Sequence, residues 1–236
     1  MCGIAGYIGA KTFNESLIFK SLDLLKNRGP DFKGIKKYST NNKKYKNILF
    51  LHTRLKIIDP DERSNQPFED GDYSIIFNGE IYNYLEIKSD LISKGLKFNT
   101  TSDTEVLLKS YIVYGIQFLS KIEGMWSFAI WDKKNNKLVL ARDRFGEKPL
   151  FYSVHSEGIY FSSDIRVIKC LSEKSYDHNV SRLTKGIVCG YKSLYKNPSE
   201  TFFKNIFQIP QSSYVEIKND LEFKVKKYWE VEKKKY

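Results

Sequence analysis

Cysteine is scarce in this chain of 236 residues. The three that occur, Cys2, Cys170 and Cys189, are an odd number in a chain long enough to bury its own core, so a disulfide framework is excluded as the basis of the fold. None of them stands at a paired metal-binding spacing. The cysteine content therefore fits a reducing, cytoplasmic setting, and we expect no metal site.

Arginine and long apolar runs are lacking as well. Only 7 of the 39 basic residues are arginine, and the net charge of +11 comes mainly from lysines in turn-like stretches such as residues 43–46 and 233–235. Arginine binds phosphate groups through two hydrogen bonds and suits nucleic-acid recognition better than lysine does, and no nucleic-acid motif accompanies the charge. The apolar residues 1–10 lack a basic leader and are too short to cross a bilayer. We therefore expect a solvated basic surface, with neither nucleic acid nor membrane as a partner.

Short apolar runs bounded by turn residues predict a protein rich in strands. Hydrophobic residues make up 41% and aromatic residues 15% of the chain, which is ample material for a core. Pairs of runs flank hairpin signals at residues 133–136 and at Asn219-Asp220. The predicted strands cover residues 2–8, 48–51, 73–77, 125–131, 138–141, 150–154, 159–161, 214–217 and 223–228.

Three helices are predicted: one that opens at residue 12, a second over 84–94 and a third over 103–114. A capping box, in which Ser or Thr precedes Glu by three residues, marks the first helix at Thr12 and Glu15 and the third at Ser102 and Glu105. The apolar face of the first helix is Ile18, Leu22 and Leu25. Because paired strands and helices come in separate runs, the pattern favours an α+β layered fold with antiparallel sheets.

Cys2 is a candidate nucleophile. It becomes the first residue once Met1 is removed, and its thiol then lies next to a free α-amino group. That amine has a reference pKa of about 7.7–8.0, so it is able to accept the thiol proton directly or through water. A cysteine at position 2 indicates little by itself, and the motifs that follow decide its interpretation.

Seven motifs follow one another in an order that resembles the class II glutamine amidotransferases, a group of N-terminal nucleophile hydrolases. They lie at residues 1–6, 27–31, 51–55, 65–67, 77–83, 102–105 and 141–146. Arg28-Gly29-Pro30-Asp31 and residues 142–149 are similar to the glutaminase domain of glutamine-hydrolysing asparagine synthetase. The resemblance implies a four-layer αββα sandwich with two stacked antiparallel sheets. It also implies hydrolysis of L-glutamine to glutamate and ammonia through a thioester on Cys2.

The resemblance further implies roles for individual residues. Asn78, through its side-chain amide, and Gly79, through its backbone N–H, would form the oxyanion hole. Arg54 would bind the α-carboxylate of glutamine, because a planar guanidinium donates two parallel hydrogen bonds to a carboxylate. Asp103 would bind the α-ammonium. Further positions that match the lining of the glutamine pocket are the backbone groups of Ile57 and Ile58, and Glu80.

Several residues also have structural interpretations. Asn78-Gly79 is a strong signal for a tight β-turn, and Asp103 would be favoured in the first turn of a helix whatever its function. His52 suggests a papain-like pair with the cysteine, but the terminal amine already supplies a base, so we expect His52 to pack or to hydrogen-bond. Core positions are predicted for Trp126, Phe128 and Trp131, and buried thiols for Cys170 and Cys189.

The predicted amidotransferase domain covers residues 1–200, and residues 201–236 are predicted to form a C-terminal hairpin and a lead-in to a synthetase domain. In the family that second domain uses ATP and Mg²⁺ and opens with a Ser-Gly-Gly-x-Asp-Ser phosphate loop, which has no counterpart in this sequence. We therefore expect no cofactor in this chain. As a fragment of a longer protein or as a free-standing subunit, it would work with a synthetase domain or subunit, and a homodimer is left open.

The sequence leaves the acceptor of the ammonia open. The resemblance implies aspartate, which becomes asparagine, although related enzymes aminate the carboxylates of sugars or peptides. An acylase-like hydrolase of another amide and a non-catalytic basic binding module are further alternatives. Lys56 stands where related sequences usually have a small residue, and its charge would alter carboxylate affinity or pocket shape. No motif is recognised in residues 172–199.

Overall fold

The structure, a computed structural model, describes residues 1–40, 42, 45–190, 197–218 and 222–231. In this part of the chain the strands form two antiparallel sheets of six strands each. The strands are β1 (Gly3–Gly9), β2 (Phe32–Ser39), β3 (Asn47–Arg54), β4 (Phe68–Asp70), β5 (Tyr73–Ile81), β6 (Gly124–Asp132), β7 (Lys137–Arg142), β8 (Phe151–His155), β9 (Gly158–Ser162), β10 (Phe207–Gln208), β11 (Ser213–Ile217) and β12 (Val225–Lys227). The first sheet has the order β10-β8-β9-β1-β3-β2 and the second β12-β11-β7-β6-β5-β4.

Five α-helices accompany the two sheets in the described part of the chain. They are α1 (Glu15–Leu25), α2 (Tyr84–Ser93), α3 (Asp103–Tyr114), α4 (Ile165–Ser172) and α5 (Val180–Cys189). Helices α1 and α4 pack on each other and on the first sheet, while α3 packs on the second sheet and on α2. The layers follow the order helix, sheet, sheet, helix. The predicted α+β, four-layer αββα sandwich is therefore confirmed.

Three apolar clusters fill the spaces between the four layers. Because successive side chains of a strand point to opposite faces, Phe50 of β3 packs between the sheets while its neighbour Leu51 packs against α1 and α4. In β6, Trp131 faces the other sheet and Trp126 faces α3. Both faces of these strands are covered, which explains why they read as nearly continuous apolar runs.

The central strands of the two sheets carry the N-terminus and the Asn-Gly pair. β1 lies between β9 and β3, so Cys2 directly precedes an inner strand of the first sheet. Asn78 and Gly79 lie within β5, opposite Ser127 and Trp126 of β6. The β-turn interpretation of Asn78-Gly79 is therefore wrong, since both residues belong to a paired strand.

Both predicted capping boxes are wrong in detail. Helix α1 begins at Glu15 after Asn14, whose Oδ1 accepts a hydrogen bond from the N–H of Leu17 at 2.8 Å, so Thr12 is not the cap. Ser102 does cap α3, because its hydroxyl accepts from the N–H of Thr104. The carboxylate of Glu105, however, accepts from the N–H groups of residues 99 and 100 instead of that of Ser102. The apolar face of α1 is buried as predicted.

Most predicted strands are confirmed, and so are the predicted helices that correspond to α2 and α3, with shifts of a few residues at their ends. The hairpins β6-β7, β8-β9 and β11-β12 pair as predicted. Parts of the predicted lysine-rich stretches and the hairpin signal at 219–220 lie outside the described part of the chain, which excludes residues 41, 43, 44, 191–196, 219–221 and 232–236. The sequence analysis missed β2, β4, β10, α4 and α5. The division at residues 200 and 201 stays a prediction, and β10, β11 and β12 are strands of the two sheets described above.

Across the described residues, no helix is both long and apolar enough to traverse a bilayer. The same residues include no group of three or more His, Cys, Asp or Glu side chains placed to hold a metal ion. Cys189 is exposed and Cys170 is partly buried, so the prediction of two buried thiols is wrong for Cys189. The exposure of Cys189 follows from its place at the end of α5, where Ile187 and Val188 are exposed as well.

Candidate active site

The thiol of Cys2 lies over the end of strand β3. The N–H of Leu55 donates to Sγ at 3.5 Å, and Sγ is 3.8 Å from the carbonyl oxygen of Leu55. Burial raises the pKa of the thiol, while the hydrogen bond from Leu55, the N-terminal ammonium and the Arg54 guanidinium act in the opposite direction. The contacts with Leu55 connect residues 53 positions apart, and no local pattern in the sequence predicted them.

The motif at residues 28–31 fixes the backbone around the nucleophile. Arg28 donates from Nε to the carbonyl oxygen of Cys2 at 3.1 Å. A Cβ on Gly29 would lie 2.3 Å from the backbone of Thr53, so only glycine allows this approach to β3. Asp31 accepts a hydrogen bond from the N–H of Lys56 at 2.8 Å. The residues that line the cavity described below do not include Lys56, and its effect on carboxylate affinity stays a prediction.

Arg54 is buried at the end of β3, and the following loop surrounds its guanidinium. One terminal nitrogen, Nη1, donates to the carbonyl oxygen of Asp61 at 2.9 Å and to Oδ1 of Asn65 at 2.8 Å. The other, Nη2, donates to the carbonyl oxygens of Asp59 and Ile58. Arg54 therefore organises the loop of residues 58–65 in addition to facing the cavity.

Asn78 is fully buried, and in the part of the chain that the structure describes neither its Oδ1 nor its Nδ2 has a hydrogen-bond partner. Buried amides are nearly always hydrogen-bonded, so an orphaned one that lines a cavity indicates a partner that enters the cavity. Next to it, a Cβ on Gly79 would lie 2.2 Å from the carbonyl oxygen of Met125 on β6. Glycine thus allows β5 and β6 to lie close together at the point where Asn78 faces the cavity.

Asp103 lies at the first turn of α3 and points towards β5. Its Oδ2 accepts a hydrogen bond from the N–H of Ile81 at 3.1 Å. Burial, together with the nearby carboxylate of Glu80, raises the pKa of Asp103 to about 6. The helix position and the orientation towards the cavity are both present, so the structural interpretation and the functional one do not exclude each other.

A single cavity of about 230 Å³ brings the predicted site residues together. This volume lies below the roughly 300–1,000 Å³ that is usual for drug-sized ligands, so the cavity suits a molecule the size of one amino acid. Every site residue predicted from the sequence lines it: Cys2, Arg54, Ile57, Ile58, Asn78, Gly79, Glu80 and Asp103. Met1 also lines the cavity and is more than half exposed.

Further residues line the cavity that the sequence analysis did not single out. Gln66 accepts from the N–H of Phe77 at 2.6 Å and donates to the hydroxyl of Thr104 at 3.1 Å, so it joins β5 to α3. Gln66 lies within one of the seven motifs, which was the signal available. Lys148 and Met125 also line the cavity, from the loop after β7 and from β6. A lysine between a glutamate and a proline is typical of a surface turn, so the neighbouring sequence did not predict that Lys148 is buried.

The residues predicted to be structural are structural. His52 is fully buried, its Nε2 lies 3.2 Å from the carbonyl oxygen of Phe77, and burial lowers the pKa of the imidazole to about 3. It does not line the cavity with Cys2, so a papain-like pair is not formed. Trp126, Phe128 and Trp131 are core residues as predicted.

A family model described as a glutamine amidotransferase domain matches residues 1–229. This chain belongs to the glutamine amidotransferase domain family. Asparagine synthetase [glutamine-hydrolyzing] 3 of Bacillus subtilis is 33% identical over 243 residues, which cover 100% of this chain and 38% of the relative. Asparagine synthetase [glutamine-hydrolyzing] 1 of the same organism is 42% identical over 171 residues, covering 70% and 26%. Amidase chry2 of Gibberella zeae is 30% identical over 252 residues, covering 98% and 35%.

A solved structure supports the fold of this amidotransferase. Glutamine phosphoribosylpyrophosphate amidotransferase from B. subtilis superposes with a TM-score of 0.68 at 17% identity, covering 97% of this chain and 49% of that one. Sequence family and fold together make the chain an enzyme of the class II glutamine amidotransferases, with the fold of the N-terminal nucleophile hydrolases. The chain spans 26–38% of the length of the curated relatives given above.

Proposed function

We propose that this amidotransferase domain hydrolyses the side-chain amide of L-glutamine to glutamate and ammonia through a thioester on Cys2. The observation that carries the proposal is the shared cavity. It places the Cys2 thiol, the orphaned amide of Asn78, the Arg54 guanidinium and the Asp103 carboxylate around one space of about 230 Å³. A nucleophile, an oxyanion donor and groups of both charges are what hydrolysis of a zwitterionic amide requires.

The reaction proceeds in two stages in this proposal. After Met1 is removed, the α-amino group of Cys2 takes the thiol proton, and Sγ forms a bond to the side-chain carbonyl carbon (Cδ) of glutamine while the carbonyl π electrons move to oxygen. The side chain of Asn78 and the N–H of Gly79 donate to that oxyanion. The carbonyl re-forms, the C–N bond breaks, and the amine's proton leaves with the nitrogen as ammonia. Water then cleaves the thioester and releases glutamate.

Recognition of free glutamine depends on Arg54 and Asp103. The α-carboxylate displaces one of the carbonyl acceptors of Arg54, and the α-ammonium binds the carboxylate of Asp103. Glu80 and the backbone of Ile57 and Ile58 line the rest of the cavity. The substrate of an acylase-like hydrolase is blocked at its α-nitrogen and has no ammonium group that the carboxylate of Asp103 could bind. Comparing the hydrolysis of glutamine with that of N-acetylglutamine separates the two hypotheses.

Aspartate is the proposed final acceptor of the ammonia, because several relatives of this chain are named asparagine synthetases. ATP and Mg²⁺ would act in a synthetase domain or subunit outside these 236 residues. The carboxylate of a sugar or a peptide stays the alternative acceptor. A cytoplasmic location and a homodimer remain part of the proposal.

Labelling with a glutamine-like chloroketone tests the glutaminase function. We expect an intact mass lower by one methionine, and after labelling a modified N-terminal peptide, with protection by L-glutamine. Cys189 is an internal control, because it is exposed and lies on α5, away from the residues that line the cavity. A C2A variant should stay unlabelled. Retained Met1 with an unreactive Cys2 in folded protein would contradict the proposal and favour a non-catalytic binding module.

A further inference from the structure

Lys148 is a buried cation without a counter-charge. It lies in the loop between β7 and β8, is 5% exposed, and lines the cavity together with Cys2 and Asn78. Within the described residues, its Nζ has neither an ion-pair partner nor a hydrogen-bond acceptor. Its Nζ is not among the fully buried polar atoms that lack a hydrogen bond, so the ammonium keeps access to the space of the cavity.

Other lysines with little exposed side chain do have partners. Lys109 lies 2.6 Å from Asp70 and 3.6 Å from Glu105, with a side chain 12% exposed. Lys137 lies 3.1 Å from Glu216, with a side chain 15% exposed. Lys109 and Lys137 therefore have carboxylate partners, and Lys88 donates to the carbonyl oxygen of Thr100 at 2.9 Å, whereas Lys148 has no such contact in the described structure.

The backbone of Lys148 is held firmly against the strand that neighbours β5. Its N–H donates to Oδ2 of Asp143 at 3.0 Å, and its carbonyl oxygen accepts from Nε of Arg142 at 2.7 Å. The same Asp143 carboxylate accepts from the N–H of Trp126, the residue paired with Gly79. These bonds fix Lys148 on the side of the cavity where the oxyanion hole is proposed.

The other charged groups that line the cavity either donate hydrogen bonds to the protein already or carry a negative charge. The terminal nitrogens of Arg54 donate to the loop of residues 58–65, and Asp103 accepts from the N–H of Ile81. Glu80 lines the cavity but forms no ion pair with Lys148. The ammonium of Lys148 is thus available for a negative charge that forms inside the cavity during the reaction.

We propose that Lys148 is a further catalytic residue, whose ammonium stabilises the negative charge that develops on Sγ of Cys2 and on the γ-carbonyl oxygen of glutamine. It forms no covalent bond and takes no part in the proton transfers of the two-stage reaction. This inference rests on the proposed glutaminase function. It accounts for a lysine that lines the cavity without a carboxylate partner among the described residues.

Glutamine hydrolysis by K148M, K148R and the surface control K134M tests the proposal in the full-length chain. Losing one oxyanion-hole donor lowers kcat by about 10²–10³, so for K148M we expect a fall of about 10-fold or more, with KM changed by less than about 3-fold. K148R keeps the charge and should recover much of the rate. K134M should match the wild type, since Lys134 is exposed in the β6-β7 turn.

Two further readouts do not depend on glutaminase turnover. The rate at which iodoacetamide alkylates the Cys2 peptide should require higher pH in K148M, because a cation favours the thiolate. Thermal unfolding should show K148M at least as stable as the wild type, since the substitution breaks no ion pair or hydrogen bond that the side chain makes with described residues. K109M should lower the melting temperature, because it leaves the buried Glu105 without its cation.

These measurements separate the two proposals. A wild type that does not hydrolyse glutamine overturns the proposed function, while the alkylation profile of K148M still reports whether Lys148 acts on the thiol. An active wild type with unchanged kcat and an unchanged alkylation profile in K148M overturns the role of Lys148. A K148M variant that unfolds would also overturn it, because Lys148 would then be a structural residue.

Discussion

His52 of the first sheet lies 3.2 Å from the carbonyl oxygen of Phe77 in the second sheet, through its Nε2. Because burial lowers the pKa of the imidazole to about 3, the ring is neutral near pH 7 and Nε2 carries the proton that it donates. Phe77 directly precedes Asn78, and His52 is paired with Ile4, two residues after the nucleophile. This hydrogen bond therefore connects the strand behind Cys2 to the strand that carries the proposed oxyanion donor.

Replacing His52 by alanine should destabilise the fold strongly. The change opens a cavity between the sheets and leaves the carbonyl oxygen of Phe77 unpaired, so we expect a loss of about 3 kcal/mol in the free energy of unfolding. His178 is exposed, and H178A should change this free energy by less than about 0.5 kcal/mol. Urea denaturation of both variants measures the difference. Equal, small effects would show that the bond between the sheets matters little.

The neutral state of His52 also predicts a pH dependence. The unfolded imidazole binds a proton below about pH 6.5, whereas the folded one does so only near pH 3. In this window the unfolded state binds more protons, so acidification from pH 6.5 towards pH 3 lowers the stability. Carboxyl groups titrate in the same range, among them Asp103 with its pKa raised to about 6, so the relevant quantity is the difference between wild type and H52Q. The wild type should lose more stability than H52Q between pH 6.5 and 5.

The sequence predicted which residues gather around the cavity better than it predicted the contacts that surround them. Residues such as Asn78 and Arg54 stand in motifs whose order is preserved along the chain, and the cavity contains all of the predicted site residues. The N–H of Leu55 at the Cys2 thiol depends on a chain reversal over 53 residues and has no local signature. Arg54 was predicted to bind the α-carboxylate of glutamine, and nothing in the sequence indicated that the following loop accepts hydrogen bonds from both terminal nitrogens.

Helix ends and exposure were the least predictable features. Thr12 and Asn14 are both good capping residues two positions apart, and local propensity does not decide between them. Cys189 was predicted to be buried, but it is exposed at the end of α5, beside the exposed residues Ile187 and Val188. Burial depends on which elements pack together, and that information is not local.

Gly79 and Gly71 form a matched pair for testing close approach. In G79A the new Cβ would lie 2.2 Å from the carbonyl oxygen of Met125, so β5 and β6 must separate, and we expect a loss of about 2–3 kcal/mol together with a large fall in glutaminase kcat. Gly71 has a positive φ of 58° but open space around it. G71A should cost only about 1 kcal/mol and leave kcat unchanged. A fully active G79A would contradict the proposed geometry.

Asn78 and Asn83 should respond in opposite ways to truncation. The amide of Asn78 has no partner in the described structure, so N78A should lose little stability while kcat falls by about 10²–10³ with a nearly constant KM. Asn83 accepts from the N–H of Glu123 and donates to the carbonyl oxygen of Lys121, each at 2.9 Å. N83A should therefore lose about 1 kcal/mol of stability and keep its kcat. Steady-state kinetics and thermal melts on the same samples compare the pair.

The raised pKa of Asp103 predicts how the affinity for glutamine varies with pH. Burial raises the pKa of its carboxyl to about 6, and only the ionised form binds an ammonium well, so KM should rise about tenfold per pH unit as the pH falls below 6. D103N keeps an acceptor for the N–H of Ile81 but loses the charge, so its KM should be high at every pH from 5 to 8. An exposed control, D72N, should retain the wild-type profile.

The stability of the same variants tests the cause of that raised pKa. The folded protein favours the protonated carboxyl of Asp103, so ionisation lowers the stability as the pH rises from about 4 through 6. D103N has no carboxyl group to ionise at this position, so we expect its melting temperature at pH 7 to exceed that of the wild type. The difference between the two melting temperatures should disappear below pH 4. A D103N variant that binds glutamine normally, or that is less stable at pH 7, would show that Asp103 serves the fold rather than the substrate.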